Sequence, residues 1–283
     1  MFITIAERIN ATRKNIRAAI ESRDEAAIRA EAVNQAEAGA TVIDVNGGTK
    51  PEEEKANLDW LLGIVAPAVR NPLCIDCADP ELLEGAAERI LEIRDAGVPS
   101  ESLDPDGVPW LMINSISAEK ERYDAVLPIA LKYKASVLTL LMGDEGMPSD
   151  AADRIKTGRD LIPRLLNDGV KAGEIFIDPL IMPAGINTEL GPQIFRTIRT
   201  LGDEFPGVRF TCGLTNVSHG LPVRPLLNRT FLTMLIASGL DSAILDPTDR
   251  RLTASLRAAL ALANMDPFCA GYINAFRNNL LDV

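Results

Sequence analysis

Short apolar runs recur along the chain, and most of them close on an amide or a carboxylate. Thr41-Val42-Ile43 leads to Asp44 and Asn46, Leu73-Cys74-Ile75 to Asp76, Leu111-Met112-Ile113 to Asn114, and Ile175-Phe176-Ile177 to Asp178. Eight such runs fall near residues 2–6, 41–45, 73–76, 110–113, 136–141, 174–178, 208–212 and 242–246. A run of this length reads as a strand buried on both faces. Between the runs lie segments with helical spacing and helix-forming residues, among them 24–38, 80–95, 118–133 and 222–238. Asp79-Pro80 and Ser149-Asp150 mark helix starts. Gly39, Gly97, Gly169 and Gly239 stand where helices end, just ahead of a strand or its approach loop.

Eight strand-then-helix units predict an α/β chain closed into a (β/α)8 TIM barrel, one domain over residues 1–283. An open doubly wound sheet is the alternative. It is weakened by Ala6-Glu7-Arg8-Ile9-Asn10, which stands where a glycine-rich phosphate loop would follow the first strand. The segment Gly97–Gly107 is loop-like and precedes the fourth strand, so it is expected on the bottom face, away from the barrel mouth. Asp266–Val283 reads as an extra C-terminal helix.

In such a barrel, polar groups just past the C-terminal ends of the strands converge on the mouth, where chemistry is done. Asp76, Asn114 and Asp178 then form a cradle for a flat, nitrogen-rich heterocycle. A carboxylate accepts two N–H groups, and an amide gives and accepts at once. Each residue alone reads as well as a strand-end cap for loop amides; the set in one register favours the cradle. Asn216, in Gly213–Gly220 after the seventh run, suits a hydrogen bond to a reacting nitrogen, and a polar turn accounts for it equally. His219, in the same loop, is either a proton source or a surface residue. Glu7, Asn10, Arg224 and Arg229 stand between ligand or partner contacts and ordinary polar positions. Cys74 and Cys77 have metal-like spacing without a second ligand pair, so no metal site is expected.

Composition narrows the classes. Hydrophobic residues make up 47% of 283, ample for a core, and the net charge of −11 leaves no basic surplus for nucleic acid. Glu7 and Arg8 interrupt the opening apolar residues, and no run approaches the ~20 residues of a membrane span. A cytoplasmic location with four reduced cysteines is expected. The single histidine, His219, excludes His-rich metal centres and multi-His acid–base schemes.

Glu7-Arg8-Ile9-Asn10, Ile43-Asp44-Val45-Asn46, Leu73-Cys74-Ile75-Asp76, Met112-Ile113-Asn114-Ser115, Ile177-Asp178-Pro179-Leu180 and Leu214-Thr215-Asn216-Val217-Ser218, in this order, resemble the pterin-binding methyltransferase family. So does Asn228-Arg229-Thr230-Phe231-Leu232, followed by Gly239–Ile244. The resemblance is nearest to the methyltetrahydrofolate:corrinoid/iron–sulfur protein methyltransferases. The folate module of methionine synthase and dihydropteroate synthase are more distant; the latter's phosphate-binding Ser-Arg signature is absent. The resemblance implies a homodimeric barrel that moves a methyl group between N5 of tetrahydrofolate and the cobalt of a corrinoid (cobalamin) carried on a separate protein, since no cobalamin-binding motif is present here. It implies that Asp76, Asn114 and Asp178 hold the pterin ring and that Asn216 bonds at N5. It places Asp44 and Asn46 in the same site, with Met142 and Ser218 near it. The direction of transfer stays open, and a pterin-processing barrel of another reaction type or a non-catalytic folate scaffold are the alternatives. His219 stands where the family leads one to expect glutamine, and Ala96–Gly107 is longer than in close relatives.

Overall fold

The computed structural model describes residues 1–48 and 50–281, and for Pro51 the backbone alone. Its strands are β1 (Ile3–Asn10), β2 (Val42–Asn46), β3 (Leu73–Asp76), β4 (Leu111–Ser117), β5 (Ser136–Leu140), β6 (Ile175–Asp178), β7 (Arg209–Phe210) and β8 (Ser242–Leu245). The helices are α1 (Lys14–Ser22), α2 (Glu25–Glu37), α3 (Pro51–Ala68), α4 (Pro80–Ile93), α5 (Lys120–Tyr133), α6 (Ala151–Asn167), α7 (Leu190–Glu204), α8 (Arg224–Ile236), α9 (Arg250–Leu262) and α10 (Ala270–Arg277). All strand pairs are parallel, in the order β7-β6-β5-β4-β3-β2-β1-β8. The ends meet where Gly213 bridges Ile244 and the Ile244 N–H donates to the Cys212 carbonyl at 2.9 Å. This is the (β/α)8 TIM barrel expected from the alternation.

Side chains of a strand alternate between its two faces. One set fills the space between strands and helices, with Ile43, Val45, Ile75, Ile113, Val137 and Ile177 fully buried. The other set points into the barrel: Ile3, Ile5, Val42, Cys74, Met112, Leu138 and Phe176 form a separate, fully buried cluster. Below it, the Arg209 guanidinium lies 5.0 Å from the centre of the Phe176 ring. Arg209 also donates to the carbonyls of Met1 and Gly107, both at 2.8 Å, and pairs with Asp241. The floor of the barrel is thus closed by packed apolar side chains and one arginine.

Several boundaries differ from the sequence expectation. β1 runs on to Asn10 and β4 to Ser117, so Glu7, Asn10 and Asn114 lie within strands. The ladder continues because backbone pairing does not depend on side-chain polarity: Asn10 is in register with Asn46, and Ser117 with Leu140. Both strands bulge on the way, between Ala6 and Ile9 and between Asn114 and Ile116. β7 keeps two residues of the expected 208–212. α1 was not expected. Asp79 and Asp150 cap their helices as read, each accepting a backbone N–H. Gly39, Gly169 and Gly239 take positive φ, but after α4 the left-handed residue is Asp95, not Gly97.

The 96–107 segment packs on the floor, where Gly107 meets Arg209 and Ser102 donates to Glu174 just ahead of β6. The expected C-terminal helix is shorter than 266–283: a 3-10 turn (Pro267–Cys269) and then α10, with Asp282 and Val283 outside the described residues. No described helix is long and apolar enough to cross a membrane.

Phe176 is the largest apolar side chain in the barrel interior and fully buried. Phe176→Ala is expected to cost about 3–5 kcal/mol of stability in urea unfolding. A loss below about 1 kcal/mol would mean that the floor does not depend on this ring.

Candidate functional site

The inward-facing positions change character two residues above the apolar floor. Val42 is followed by Asp44 and Asn46, Cys74 by Asp76, Met112 by Asn114, Phe176 by Asp178, and Ile5 by Glu7. The register fixes their neighbours: Asp76 is level with Asn114, and Asp44 with Cys74. These residues converge at the C-terminal end of the strands, with Asp44 2% and Asp178 8% exposed. Asn46 Nδ2 donates to Asp76 Oδ2 at 3.0 Å, and the Cys77 N–H donates to the Asn114 carbonyl at 3.2 Å. The turn after β2 can press on α3 only because residue 47 is glycine: a Cβ there would stand 2.8 Å from the Leu58 backbone nitrogen.

Burial raises the proton affinity of these acids. Asp44 is raised well above the ordinary carboxylate range, first by burial and then by the Asp76 and Glu7 charges, against contributions from the Cys74 thiol and the Asn114 amide. Its Oδ1 is buried without a hydrogen-bond partner, an arrangement that a ligand donor would relieve. Asp76 is raised by burial and by Glu54, with Asn46 and Arg122 working the other way. Asp178 is pushed up to about 6 by burial, against the Leu180 and Gly213 N–H groups and Arg154. Glu7 is raised by burial; Arg13 and Thr215 counter it, and Asp246 adds to it.

Asn216 sits in a 3-10 turn (Leu214–Ser218) after β7, exposed at the rim. Its amide folds over Gly213, where a Cβ would lie 3.0 Å from Asn216 Nδ2. The turn is tied from below and from the side. Thr215 Oγ1 donates to Glu7 Oε2 at 3.3 Å, Arg224 donates to the Thr215 carbonyl at 2.9 Å, and Arg224 Nε donates to Ser218 Oγ at 3.0 Å. Ser218 is buried, and its hydroxyl also donates to the Thr215 carbonyl. Ser218 and Arg224 therefore hold the Asn216 turn through these bonds.

His219 is exposed beside the turn. Met142 is half-buried just past β5, its carbonyl accepting the Ala118 N–H. Asn10 accepts from Thr12 at the upper edge of β1. Arg229 is not brought to the mouth: it lines an outer surface cleft with Ser255 of α9 and Tyr272 of α10.

Two arginines that the sequence reading passed over pin the remaining site loops. Arg122, at the start of α5, donates to the carbonyls of Ser115, Cys77 and Ala78, joining the segments after β3 and inside β4. Arg154, in α6, donates to the carbonyls of Pro179 and Leu180 after β6. A signal for Arg154 was available: it falls on the buried stripe Ala151, Ile155, Gly158, Leu161, Ile162, Leu165, where an arginine is out of place unless bonded.

A closed parallel barrel with buried carboxylates and amides at its C-terminal mouth defines a barrel enzyme built to hold a small polar ligand. Residues 6–246 match the pterin-binding enzyme family, and the chain belongs to that family. The chain is 33% identical over 277 residues to the methylcorrinoid:tetrahydrofolate methyltransferase of Eubacterium limosum, covering 97% of this chain and 96% of that one. It is 27% identical to the methionine synthase of Mycobacterium tuberculosis over 86% of this chain and 20% of that one. Among solved structures, dihydropteroate synthase of Yersinia pestis with a pterine–sulfa conjugate superposes with a TM-score of 0.65 at 15% identity, covering 93% of this chain and 95% of that one. Dihydropteroate synthase of Xanthomonas albilineans with 7,8-dihydropteroate superposes at 0.59 and 20% identity, covering 93% and 92%. These two likenesses concern the fold.

The Asp178 carboxyl group has a consequence for stability. Below about pH 6 the folded chain protonates Asp178 while the unfolded chain keeps it charged, down to the ordinary value near ~3.9. This group's contribution therefore rises as pH falls through 6 and levels off below about 4. Urea unfolding is expected to show a gain of about 2 kcal/mol from Asp178 between pH 7 and pH 4.5, absent in Asp178→Asn. Asp44, Asp76 and Glu7 are present in both proteins, so the difference isolates Asp178. Parallel pH curves for the two would assign the effect elsewhere.

Proposed function

We propose that this protein transfers a methyl group from a methylcorrinoid, carried on a separate protein, to N5 of tetrahydrofolate. The observation that carries the reading is the tier of inward-facing Asp44, Asp76, Asn114 and Asp178 above an apolar floor. Full-length similarity to a methylcorrinoid:tetrahydrofolate methyltransferase supports the reaction class and suggests the direction.

The tier fits a pterin. Its 2-amino and ring N–H groups need acceptors, and its carbonyl and ring nitrogens need donors. A carboxylate takes two N–H groups, and an amide such as Asn114 serves either sense. Asp44 Oδ1, buried and unpartnered, waits for a donor. The closed floor excludes water from below, so each bond formed here is stronger than in solvent. The corrinoid supplies the other methyl carrier and approaches from the open side, above the exposed Asn216 turn.

N5 is the atom at which a methyl group and a proton change places. In the proposed direction the N5 lone pair takes the methyl group, the electron pair of the broken methyl–cobalt bond stays with the departing corrinoid as Co(I), and N5 passes its proton to solvent at the open mouth. Asn216 suits this exchange because its oxygen accepts from N5–H and its nitrogen donates to N5 once the proton has gone. It does so without a change of its own charge. An interaction that strengthens only as the reaction proceeds lowers the barrier rather than the ground state.

The deciding assay is anaerobic and spectrophotometric: methylcobalamin with tetrahydrofolate, then cob(I)alamin with methyltetrahydrofolate, following the cobalt spectrum. Methyl transfer is expected in both, with the first physiologically relevant. Absence of transfer in both, with the native corrinoid protein also tried, would refute the reading. Asn216→Ala is expected to lower turnover by about 10² while folate affinity changes less. Equal losses in the two would mean that Asn216 only binds.

Tetrahydrofolate affinity is expected to fall as pH drops below about 6, by up to about tenfold per unit, because a protonated Asp178 offers one acceptor less. Calorimetric titration at pH 7.5, 6 and 5 measures this. Asp178→Ala should weaken binding about tenfold or more at pH 7.5.

A further inference from the structure

We propose that Arg154 is a positioning residue for Asp178: its buried guanidinium clamps the turn after β6 and so sets where that carboxyl group stands. The inference rests on the pterin-binding role given to Asp178 above. Arg154 is fully buried, yet among the described residues it makes no ion pair. Nε donates to the Pro179 carbonyl at 2.7 Å and Nη2 to the Leu180 carbonyl at 3.4 Å. Nη1 donates to the Asp150 carbonyl at 2.9 Å and to Gln193 Oε1 at 3.4 Å. One side chain from α6 thus holds its own helix start, α7 and two consecutive carbonyls of the β6 turn.

That turn needs holding. Leu180 has φ 63°, left-handed backbone that a leucine adopts only at a cost. Its N–H donates to Asp178 Oδ1 at 2.8 Å, so the turn and the carboxyl orientation are one unit. If the carbonyls of Pro179 and Leu180 were released, Leu180 would relax toward ordinary backbone and its N–H would leave Asp178. A lysine could not replace the clamp, because one ammonium cannot reach along three directions fixed by a planar guanidinium.

The charged and titratable groups around this unit are few. Arg154 faces Asp178 from α6, and the Cys212 thiol faces it from the segment after β7. Asp150 and Asp153, at the start of α6, face the guanidinium itself. The Leu180 and Gly213 N–H groups complete the surroundings of the carboxylate. Among the described residues, Arg154 is therefore the one cation that favours the charged form of Asp178. A residue that merely filled space would have no influence on that titration.

The test uses the intact chain with Arg154→Gln and Arg154→Lys. The Asp178 titration is followed in the free protein by carboxyl 13C NMR, with tetrahydrofolate affinity and thermal unfolding measured alongside. In Arg154→Gln the Asp178 midpoint is expected to rise by about one unit, with affinity at pH 7.5 down about tenfold or more. In Arg154→Lys the charge remains but the clamp does not, so the midpoint should still rise as the Leu180 N–H leaves Asp178, by less than in Arg154→Gln, while affinity falls. A folded Arg154→Gln with unchanged midpoint and unchanged affinity would overturn the proposal. If Arg154→Gln does not fold, unchanged affinity in Arg154→Lys overturns it instead. Failure of the unsubstituted protein to bind tetrahydrofolate would sink the folate reading alone, because a raised Asp178 midpoint in free Arg154→Lys, where the charge is kept, would still establish the clamp.

Discussion

The two-residue repeat of a strand inside a closed barrel is the constraint on which the rest depends. Closure leaves one interior, and every strand presents every second residue to it. Where the inward residue is Val42, Cys74, Met112 or Phe176, the interior is packed and dry. One step higher the same strands present Asp44, Asp76, Asn114 and Asp178, now with a sealed floor beneath them. Their elevated proton affinities follow from this placement, since charge is unfavourable beside an apolar plug. Polarity at the mouth and packing below it are two consequences of one geometry.

Positive charge is distributed around this tier in an instructive way. Arg122, Arg154 and Arg224 come from three different helices, and each donates to backbone carbonyls of a loop that bears a site residue. None of the three is ion-paired to an acid of the tier among the described residues. Had they been, a ligand would have to displace charge-assisted hydrogen bonds before making its own. The guanidiniums instead order the loops and soften the burial of the acids from a distance, leaving carboxylate lone pairs to face the mouth.

Much of this was legible in the sequence because it is periodic. The eight apolar runs and the polar residues that close them carry both the barrel and its inward tier. What was not legible is aperiodic. β1 and β4 outlast their apolar runs because ladders pair backbone with backbone, so Asn114 proved to be inside a strand. Asp95 took the left-handed position offered to Gly97, since an aspartate tolerates it. Ser218 and Arg224, read as neighbours of a ligand, bond to each other, and such a pairing across six residues leaves no trace in spacing. Arg229 drops to the outer cleft because α8 turns it toward α9 and α10. Arg122 and Arg154 act through carbonyls, which no residue type announces.

Barrel closure also bears on how the chain is made. β1 pairs with β8, whose residues lie more than two hundred positions later, and Arg209 reaches back to the Met1 carbonyl. During synthesis one edge of the first strand therefore has no partner until β8 has emerged. That edge runs through Ile3, Thr4, Ile5 and Ala6, a sticky template for any other exposed strand. Glu7 and Arg8 follow at once and bring charge beside it, which guards the nascent chain against mispairing.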